Sequence, residues 1–241
     1  MLRYLLRITY DGSKYYGFQR LKKNPSVQKE LEEALSKVFK ENIEIKGSGR
    51  TDKGVHAIDQ CVSFDAPFEI DSVSLIKAVN RRLSNNVYVK AAKRVSSDFH
   101  ARFSVKKKVY EYKINVGEYS PLLNDYYYQP REKINLKRLR KAARLFIGTH
   151  DYKNFVSGEH ENTISNIYKI TINKKNNIII IKIIGTKFYK YMVRNIVGAL
   201  LDYNKEKVDL DSIKSMLDNP QNKVQLTTIC PNGLYLAKII Y

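Results

Sequence analysis

One short loop combines residue types that can do chemistry. The stretch GSGRTDKGVHA, residues 47–57, sets Asp52 beside Lys53 and two residues after Arg50, with glycines on both sides. Glycine is common where a backbone must bend sharply or come close to a ligand. Neighbouring cations lower the pKa of a carboxyl group from its ordinary value of about 3.9, so we expect Asp52 to stay ionised when a ligand covers it. A carboxylate that stays charged in a dry pocket can act as a nucleophile or a base.

Other chemistries fit this loop less well. A phosphate-binding loop of the GxxxxGK type continues with Ser or Thr, a pattern this stretch does not match, and Asp52 would repel a phosphate. A dinucleotide-binding fingerprint needs a helix after the glycines, whereas the residues that follow alternate like a strand. A plain tight turn, in which the aspartate accepts hydrogen bonds from nearby backbone amides, remains open.

The charge of the chain indicates what kind of partner it has. Lys and Arg number 43 against 24 Asp and Glu, which gives a net charge of +19 over 241 residues. A folded domain this basic repels itself unless it meets a polyanion, so nucleic acid is the leading partner and an anionic membrane surface the second. Basic residues cluster in one helical segment and in one short run, and these are candidate phosphate contacts: Lys137, Arg138, Arg140, Lys141 and Arg144, and residues 106–108.

Composition also excludes several classes of protein. Hydrophobic residues make up 43% of the chain, enough for a folded core. There is no apolar run near twenty residues and no signal peptide pattern, so we expect a soluble intracellular protein without a membrane span. Cys61 and Cys230 belong to no CxxC pair, and the four histidines show no ligand spacing, so we expect no metal site.

Periodicity predicts an α+β fold that positions the loop between strands. Several predicted strands alternate apolar and polar residues, which favours a largely antiparallel sheet with one solvated or functional face. Ser26, Asp71 and Asn135 precede helical patterns as candidate N-caps. Strands are predicted at residues 2–10, 42–47, 55–66, 86–95, 105–116, 167–172, 178–185 and 233–240, and helices at residues 27–39, 72–83, 136–146, 188–203 and 210–217.

Several motifs along the whole chain resemble one enzyme family. The loop GRTDKGVHA resembles the signature of the tRNA pseudouridine synthase A family, and it does not stand alone. Other segments match further family motifs in order: YDGSKYYGFQ at 10–19, VQKELEEAL at 27–35, FHARFSVKKKVYEY at 99–112, FYKYMVRNIVGAL at 188–200 and PNGLYL at 231–236. Phe18 stands where the family often has Trp.

The resemblance implies roles for particular side chains. Asp52 matches the catalytic aspartate, Tyr110 the tyrosine that contacts the target base, and Arg194 an arginine that pairs with the aspartate. Four more residues match substrate-facing positions: Arg50, Lys53, His56 and Arg102. From the residues alone, Tyr110 also fits an ordinary core tyrosine, Arg194 a solvated arginine, and His56 a structural histidine.

The resemblance also implies an architecture and an activity. The expected fold has two similar halves, residues 1–104 and 105–241, whose mostly antiparallel sheets join into one, with helices on one side and a basic RNA-binding cleft between the halves. The implied activity converts uridine to pseudouridine at positions 38 to 40 of the tRNA anticodon stem-loop. A cytoplasmic homodimer without cofactor or metal is expected, with tRNA as its partner.

Two other functions remain open at this point. A relative without catalytic activity could bind tRNA and assist its folding. A different base-flipping enzyme, such as a nucleoside hydrolase, would use the same residue types, because an ionised acid, an aromatic ring and a cation serve any extruded base. The sequence also does not choose among three actions for Asp52: attack on C1′ of the ribose, attack on C6 of the base, or removal of a proton from C2′.

Overall fold

The computed structural model describes residues 2–241, and the chain divides into two units. The first unit runs to Lys106 and includes Tyr235–Tyr241, and the second is Lys107–Leu234. The last strand of the sequence therefore belongs to the first unit.

The first unit is a sheet with two helices. Its strands are β1 (Leu2–Tyr10), β2 (Lys46–Gly47), β3 (His56–Ala66), β4 (Val87–Val95) and β9 (Leu234–Ile240). They lie in the order β4-β1-β3-β9, with β1 antiparallel to both neighbours, β9 parallel to β3, and β2 paired to β3. The strands predicted at residues 2–10, 55–66 and 86–95 are confirmed, whereas the strand predicted at 42–47 shortens to β2.

Alternation along β1 explains why it occupies an interior position. Its residues Tyr4, Leu6, Ile8 and Tyr10 are buried, as the apolar side of the pattern predicts. On its other face the arginines pair with carboxylates of β3, Arg3 with Asp65 at 2.7 Å and Arg7 with Asp59 at 2.6 Å. Cross-strand pairs of opposite charge let a basic strand lie inside a sheet.

The helices of the first unit begin where the cap residues predict. The helix α1 (Val27–Phe39) follows Ser26 at the N-cap position, although the Ser26 side chain makes no capping hydrogen bond. The helix α2 (Ser72–Asn80) follows Asp71, whose carboxylate accepts hydrogen bonds from the amides of Val73 and Ser74. These bonds satisfy two of the backbone donors that a helix leaves open at its start.

The second unit is an antiparallel sheet with three helices. Its strands are β5 (Lys107–Asn115), β6 (Gly148–Asp151), β7 (Ile164–Lys175) and β8 (Ile178–Gly185), in the order β5-β8-β7-β6. Its helices are α3 (Leu136–Ala143), α4 (Met192–Asn204) and α5 (Leu210–Asp218). Asn135 caps α3 as predicted, while β6 was not predicted. The α+β class with mostly antiparallel pairing is confirmed, and residues 2–241 include no helix with the length and apolar content for crossing a membrane.

Candidate active site

The loop from residue 48 to residue 55 connects β2 to β3 and presents charge outward. Arg50 and Lys53 are exposed, Asp52 is half-buried, and Thr51 between them is buried. The amide of Val55 donates a hydrogen bond to the carbonyl of Asp52 at 3.1 Å, which closes a tight turn around Lys53. The buried Thr51 therefore anchors the loop, while Arg50 and Lys53 are exposed to solvent.

A second segment, residues 10–19, holds this loop on both sides of Asp52. The Tyr10 hydroxyl lies 2.8 Å from the Thr51 hydroxyl, and the Phe18 amide donates to the Thr51 carbonyl at 3.1 Å. On the other side, the Gly54 amide donates to the carbonyl of Tyr15 at 3.4 Å. The carboxylate of Asp52 thus extends from a backbone that is bonded immediately before it and two residues after it.

Two glycines allow the 10–19 segment to approach so closely. A Cβ atom added to Gly12 would lie 2.0 Å from the Val55 carbonyl oxygen, and one on Gly17 would lie 2.7 Å from the Thr51 carbonyl oxygen. Gly17 also has a φ of +113°, a backbone conformation that favours glycine. The 10–19 segment matches a family motif in sequence, and the spacing of its glycines is the signal in the sequence that indicates close packing.

The base of the loop is fixed by β3. The amide of Ser48 donates to the Cys61 carbonyl at 2.8 Å, and the Ser48 hydroxyl donates to the side-chain carbonyl of Gln60. The Gln60 amide nitrogen in turn donates to the carbonyl of Gly49 at 2.8 Å. Gln60 is fully buried, so this polar network is shielded from water and holds the start of the loop in one position.

His56 is buried and supports the 10–19 segment. It is 2% exposed, and its ring stacks on Tyr235 at 4.6 Å between centroids. The Gly12 amide donates a hydrogen bond to its Nδ1 at 3.1 Å. The Asp11 carboxylate oxygen Oδ1 lies 3.3 Å from the same nitrogen. The predicted contact between His56 and substrate remains a prediction.

An aromatic ring positions the amino group of Lys53. Its Nζ lies 4.0 Å from the centroid of the Tyr16 ring, which is 47% exposed. A cation over an exposed ring is stabilised by about 0.5–1 kcal/mol. The loop therefore carries a positioned ammonium group next to Asp52, and the 10–19 segment supplies the ring.

Arg102 lies on a turn that is held in place by hydrogen bonds of the preceding residue, Ala101. Ala101 is buried, its amide donates to the Ser63 hydroxyl at 3.2 Å, and its carbonyl accepts from the Tyr241 hydroxyl at 2.9 Å. Arg102 and Phe103 then project outward, and Phe103 is 76% exposed. The ring of His100 packs against Phe103 at 4.4 Å. Burial and neighbouring cations lower the pKa of His100, which favours its neutral form near pH 7.

The remaining two predicted site residues lie in the second unit. Tyr110 on β5 is 7% exposed, stands opposite Ile183 of β8, and meets Phe188 edge to face at 5.0 Å. Arg194, in the first turn of α4, donates from Nε to the carbonyl of Ile229 at 2.7 Å. The structure thus places Arg50, Asp52 and Lys53 on one loop and His56 on the strand residue that directly follows it. In the second unit, Tyr110 contacts Phe188, the first residue of the FYKYMVRN segment.

The arginines of α3 are engaged in structural contacts. Arg140 donates from Nε and Nη2 to the carbonyl of Ile172 on β7, at 3.0 and 2.8 Å. Arg138 donates to the Tyr203 carbonyl at 2.7 Å and to Glu206 at 3.0 Å. Four cations of this segment are exposed, namely Lys137, Arg140, Lys141 and Arg144, and the guanidinium of Arg140 is bonded to Ile172. Lys137, Lys141 and Arg144 are therefore the stronger candidates for phosphate contacts. Across residues 2–241, no three His, Cys, Asp or Glu side chains group in a way that could hold a metal ion.

Comparisons with known proteins agree with this arrangement of motifs. A family model described as tRNA pseudouridine synthase matches residues 7–104 and 142–241. The chain is 41% identical over 242 aligned positions to the tRNA pseudouridine synthase A of Malacoplasma penetrans, which covers all of both chains. It is 36% identical over 244 positions to the enzymes of the same name from Thermosipho melanesiensis and Borrelia turicatae, again over the whole of each chain.

Proposed function

This chain belongs to the tRNA pseudouridine synthase family, and we propose that Asp52 is the catalytic residue of the isomerisation. The enzyme converts uridine to pseudouridine in tRNA. The observation that carries the assignment of Asp52 is its placement, half-buried in a loop whose flanking residues Thr51 and Gly54 are both bonded to the 10–19 segment. Such a fixed backbone gives a carboxylate the preorganisation that an active site requires.

The chemistry balances without any added reactant. The bond between N1 of uracil and C1′ of ribose breaks, the base turns, and a bond forms between C5 and C1′. The proton lost from C5 is matched by a proton gained at N1, so nothing is oxidised, reduced or hydrolysed. An isomerisation of this kind calls for no redox cofactor. Asp52 acts by attack on C1′, by attack on C6, or by removal of a proton from C2′.

The charged groups beside Asp52 suit a flipped nucleotide. Extruding a paired base costs a few kcal/mol, which contacts to the phosphates must offset. Arg50 and Lys53 are exposed cations on either side of the carboxylate, and Tyr16 holds the amino group of Lys53. We assign both cations to the phosphates near the target uridine, where they also favour the ionised form of Asp52. His56 and Arg102 complete the proposed substrate-binding set.

Two residues of the second unit receive their proposed roles from the family pattern. Tyr110 stacks on the target uracil, and Arg194 orients the catalytic carboxylate and keeps it ionised. Tyr110→Phe is expected to keep tRNA affinity, and full activity in that variant would limit Tyr110 to stacking. Tyr110→Leu removes the ring and is expected to lower the rate at least 10-fold. A Tyr110→Leu variant with normal turnover would remove Tyr110 from the site.

Finer features of the activity are part of the proposal. We infer that the target uridines are positions 38 to 40 of the anticodon stem-loop, that the enzyme is a homodimer, and that it works in the cytoplasm. Light scattering during size-exclusion chromatography tests the dimer, for which a mass near twice 28.0 kDa is expected. A single-chain mass at micromolar concentration would contradict it.

One experiment tests the proposed function as a whole. The purified protein is incubated with unmodified tRNA transcripts, and pseudouridine is mapped at single-nucleotide resolution. Pseudouridine confined to positions 38 to 40 is the expected result. Free uracil or an abasic site would indicate a nucleoside hydrolase instead, and tRNA binding without any change of the base would indicate a non-catalytic relative. The non-catalytic alternative is not favoured, because the relatives compared above are named as synthases.

A further inference from the structure

Tyr191 has an unfavourable backbone conformation immediately before α4. Its φ is +64° and its ψ is −3°, in the left-handed region. A bulky aromatic residue is a genuine outlier there, because glycine and asparagine are the residues that adopt this region readily. Tyr191 also occupies the N-cap position of α4, where its side chain makes no capping hydrogen bond. The residue is therefore poorly suited to its position on two independent grounds.

Neighbouring contacts hold the backbone in this conformation. The carbonyl of Tyr191 accepts from the Asn195 amide at 2.8 Å, and the carbonyl of Lys190 accepts from the Ser157 amide at 3.0 Å. The Asn195 side chain is fixed in turn, because its Nδ2 donates to the Phe155 carbonyl at 2.9 Å. Left-handed conformations persist where the surroundings over-determine them, and they cluster at functional sites.

The Tyr191 ring contacts the guanidinium group of Arg194. The Cζ atom of Arg194 lies 4.4 Å from the ring centroid, within the range of a cation–π contact. The same guanidinium donates from Nε to the Ile229 carbonyl at 2.7 Å. The Lys190 amino group lies 5.3 Å from the ring centroid as a second, more distant cation. The ring and the carbonyl together restrict both the position and the plane of the guanidinium.

We propose that Tyr191 is a positioning residue for Arg194 in the isomerisation, an inference that rests on the proposed function. The strained conformation places the Tyr191 ring one helical turn before Arg194, where it contacts the guanidinium. A residue that relieves the strain would remove the ring. Asparagine suits both the left-handed region and the N-cap position, so the best residue for stability at position 191 is a poor one for orienting the arginine.

Two variants separate positioning from structural support. Tyr191→Phe keeps the ring and is expected to retain single-turnover activity within about twofold. Tyr191→Asn is expected to keep or raise the melting temperature and to bind tRNA within about threefold of the unmodified protein. Its single-turnover rate of pseudouridine formation is expected to fall at least 10-fold. A merely structural tyrosine would give the opposite pattern, a lower melting temperature with normal turnover in the fraction that stays folded.

A readout that does not depend on activity completes the test. The mobility of the Arg194 Nε–H group is measured by NMR relaxation in protein labelled with ¹⁵N-arginine. Tyr191→Asn is expected to increase this mobility, while Tyr191→Phe leaves it unchanged. Unchanged mobility, or full activity in Tyr191→Asn, would overturn the proposal. If the unmodified protein formed no pseudouridine, the proposed function would fail, while the NMR comparison would still decide whether Tyr191 orients Arg194.

Discussion

Residues outside the loop of Asp52 decide where the backbone of Asp52 lies. Gly17 is the clearest case, because its φ is +113° and a Cβ atom there would lie 2.7 Å from the Thr51 carbonyl oxygen. Any side chain at position 17 must push the loop backbone directly before Asp52. Positions in a fixed catalytic geometry tolerate little displacement, since about 1 Å can cost 100-fold in rate.

Gly17→Ala is therefore expected to impair catalysis more than folding. The strained φ should cost about 1–2 kcal/mol of the free energy of unfolding, and the displaced loop should lower kcat at least 10-fold. Gly158→Ala is the matched control, since Gly158 has a φ of +86° but no atom within 4 Å of an added Cβ. The control should show a similar loss in chemical denaturation and an unchanged kcat. Equal kcat values in both variants would contradict the clamping role of the 10–19 segment.

The exposed ring beside Arg102 gives a second prediction at this scale. Phe103 is 76% exposed on an anchored turn, and stacking of a base on an aromatic side chain contributes about 1–3 kcal/mol. Phe103→Ser is expected to weaken tRNA binding at least fivefold without lowering the melting temperature. Val73→Ser, at an apolar residue of α2 that is 60% exposed, serves as the control and should leave binding unchanged. Equal affinities for both variants, measured by filter binding, would remove Phe103 from the RNA path.

The contacts around Asp52 show how far residue-level prediction reaches. The motif resemblance indicates Asp52, Arg50 and Lys53 as site residues, because all three lie within one short motif. The sequence does not indicate that Tyr16 and Phe18 contact this loop. They contact it because the backbone between β1 and α1 passes beside it. The sequence predicts which residues are charged, but distant segments decide which of them are held in place.

At the scale of elements, the arginines and lysines of α3 differ in their contacts. Arg138 and Arg140 hydrogen-bond to backbone carbonyls, whereas Lys137 and Lys141 are exposed. Lys137→Gln with Lys141→Gln removes two exposed charges, and each lost phosphate contact should reduce the slope of log affinity against log salt by roughly 0.7–0.9. Arg140→Gln removes the two bonds to the Ile172 carbonyl instead, and it should cost about 1 kcal/mol of stability while leaving the salt slope unchanged. Binding titrations at several salt concentrations check the first result, and urea denaturation checks the second. If only Arg140→Gln lowered the salt slope, Arg140 rather than Lys137 and Lys141 would be the phosphate contact.

Helices that begin at a capping side chain can be predicted from the sequence, whereas short strands that form only by pairing with another strand cannot. Asp71 and Asn135 cap α2 and α3 as predicted, because a capping hydrogen bond reaches only two or three residues along the chain. The strand β6 has four residues without alternation, and it exists through its pairing with β7. The strand predicted at residues 42–47 shortens to Lys46–Gly47, where β3 supplies the pairing. Tertiary pairing of this kind leaves little trace in a short stretch of sequence.

At the scale of the whole molecule, the net charge of +19 should make RNA binding strongly dependent on salt. Several arginines are committed to carboxylates, as in Arg3 with Asp65, Arg7 with Asp59 and Arg20 with Glu32, so exposed lysines are expected to make many of the phosphate contacts. Release of counterions from three or more phosphates should weaken tRNA affinity at least 10-fold between about 50 and 200 mM salt. Affinity that stays constant over this range would argue against a phosphate-dominated interface.

The central claim is that Asp52 performs the chemistry rather than holding the fold. Asp52→Asn preserves the size of the side chain but removes its negative charge and replaces one acceptor oxygen with an NH2 donor. The direct measurement is pseudouridine formation in tRNA by this variant, with tRNA affinity measured on the same preparation. We predict no detectable pseudouridine and an affinity within about threefold of the unmodified protein. Pseudouridine formed at the normal rate, or tRNA binding lost together with activity, would contradict the account.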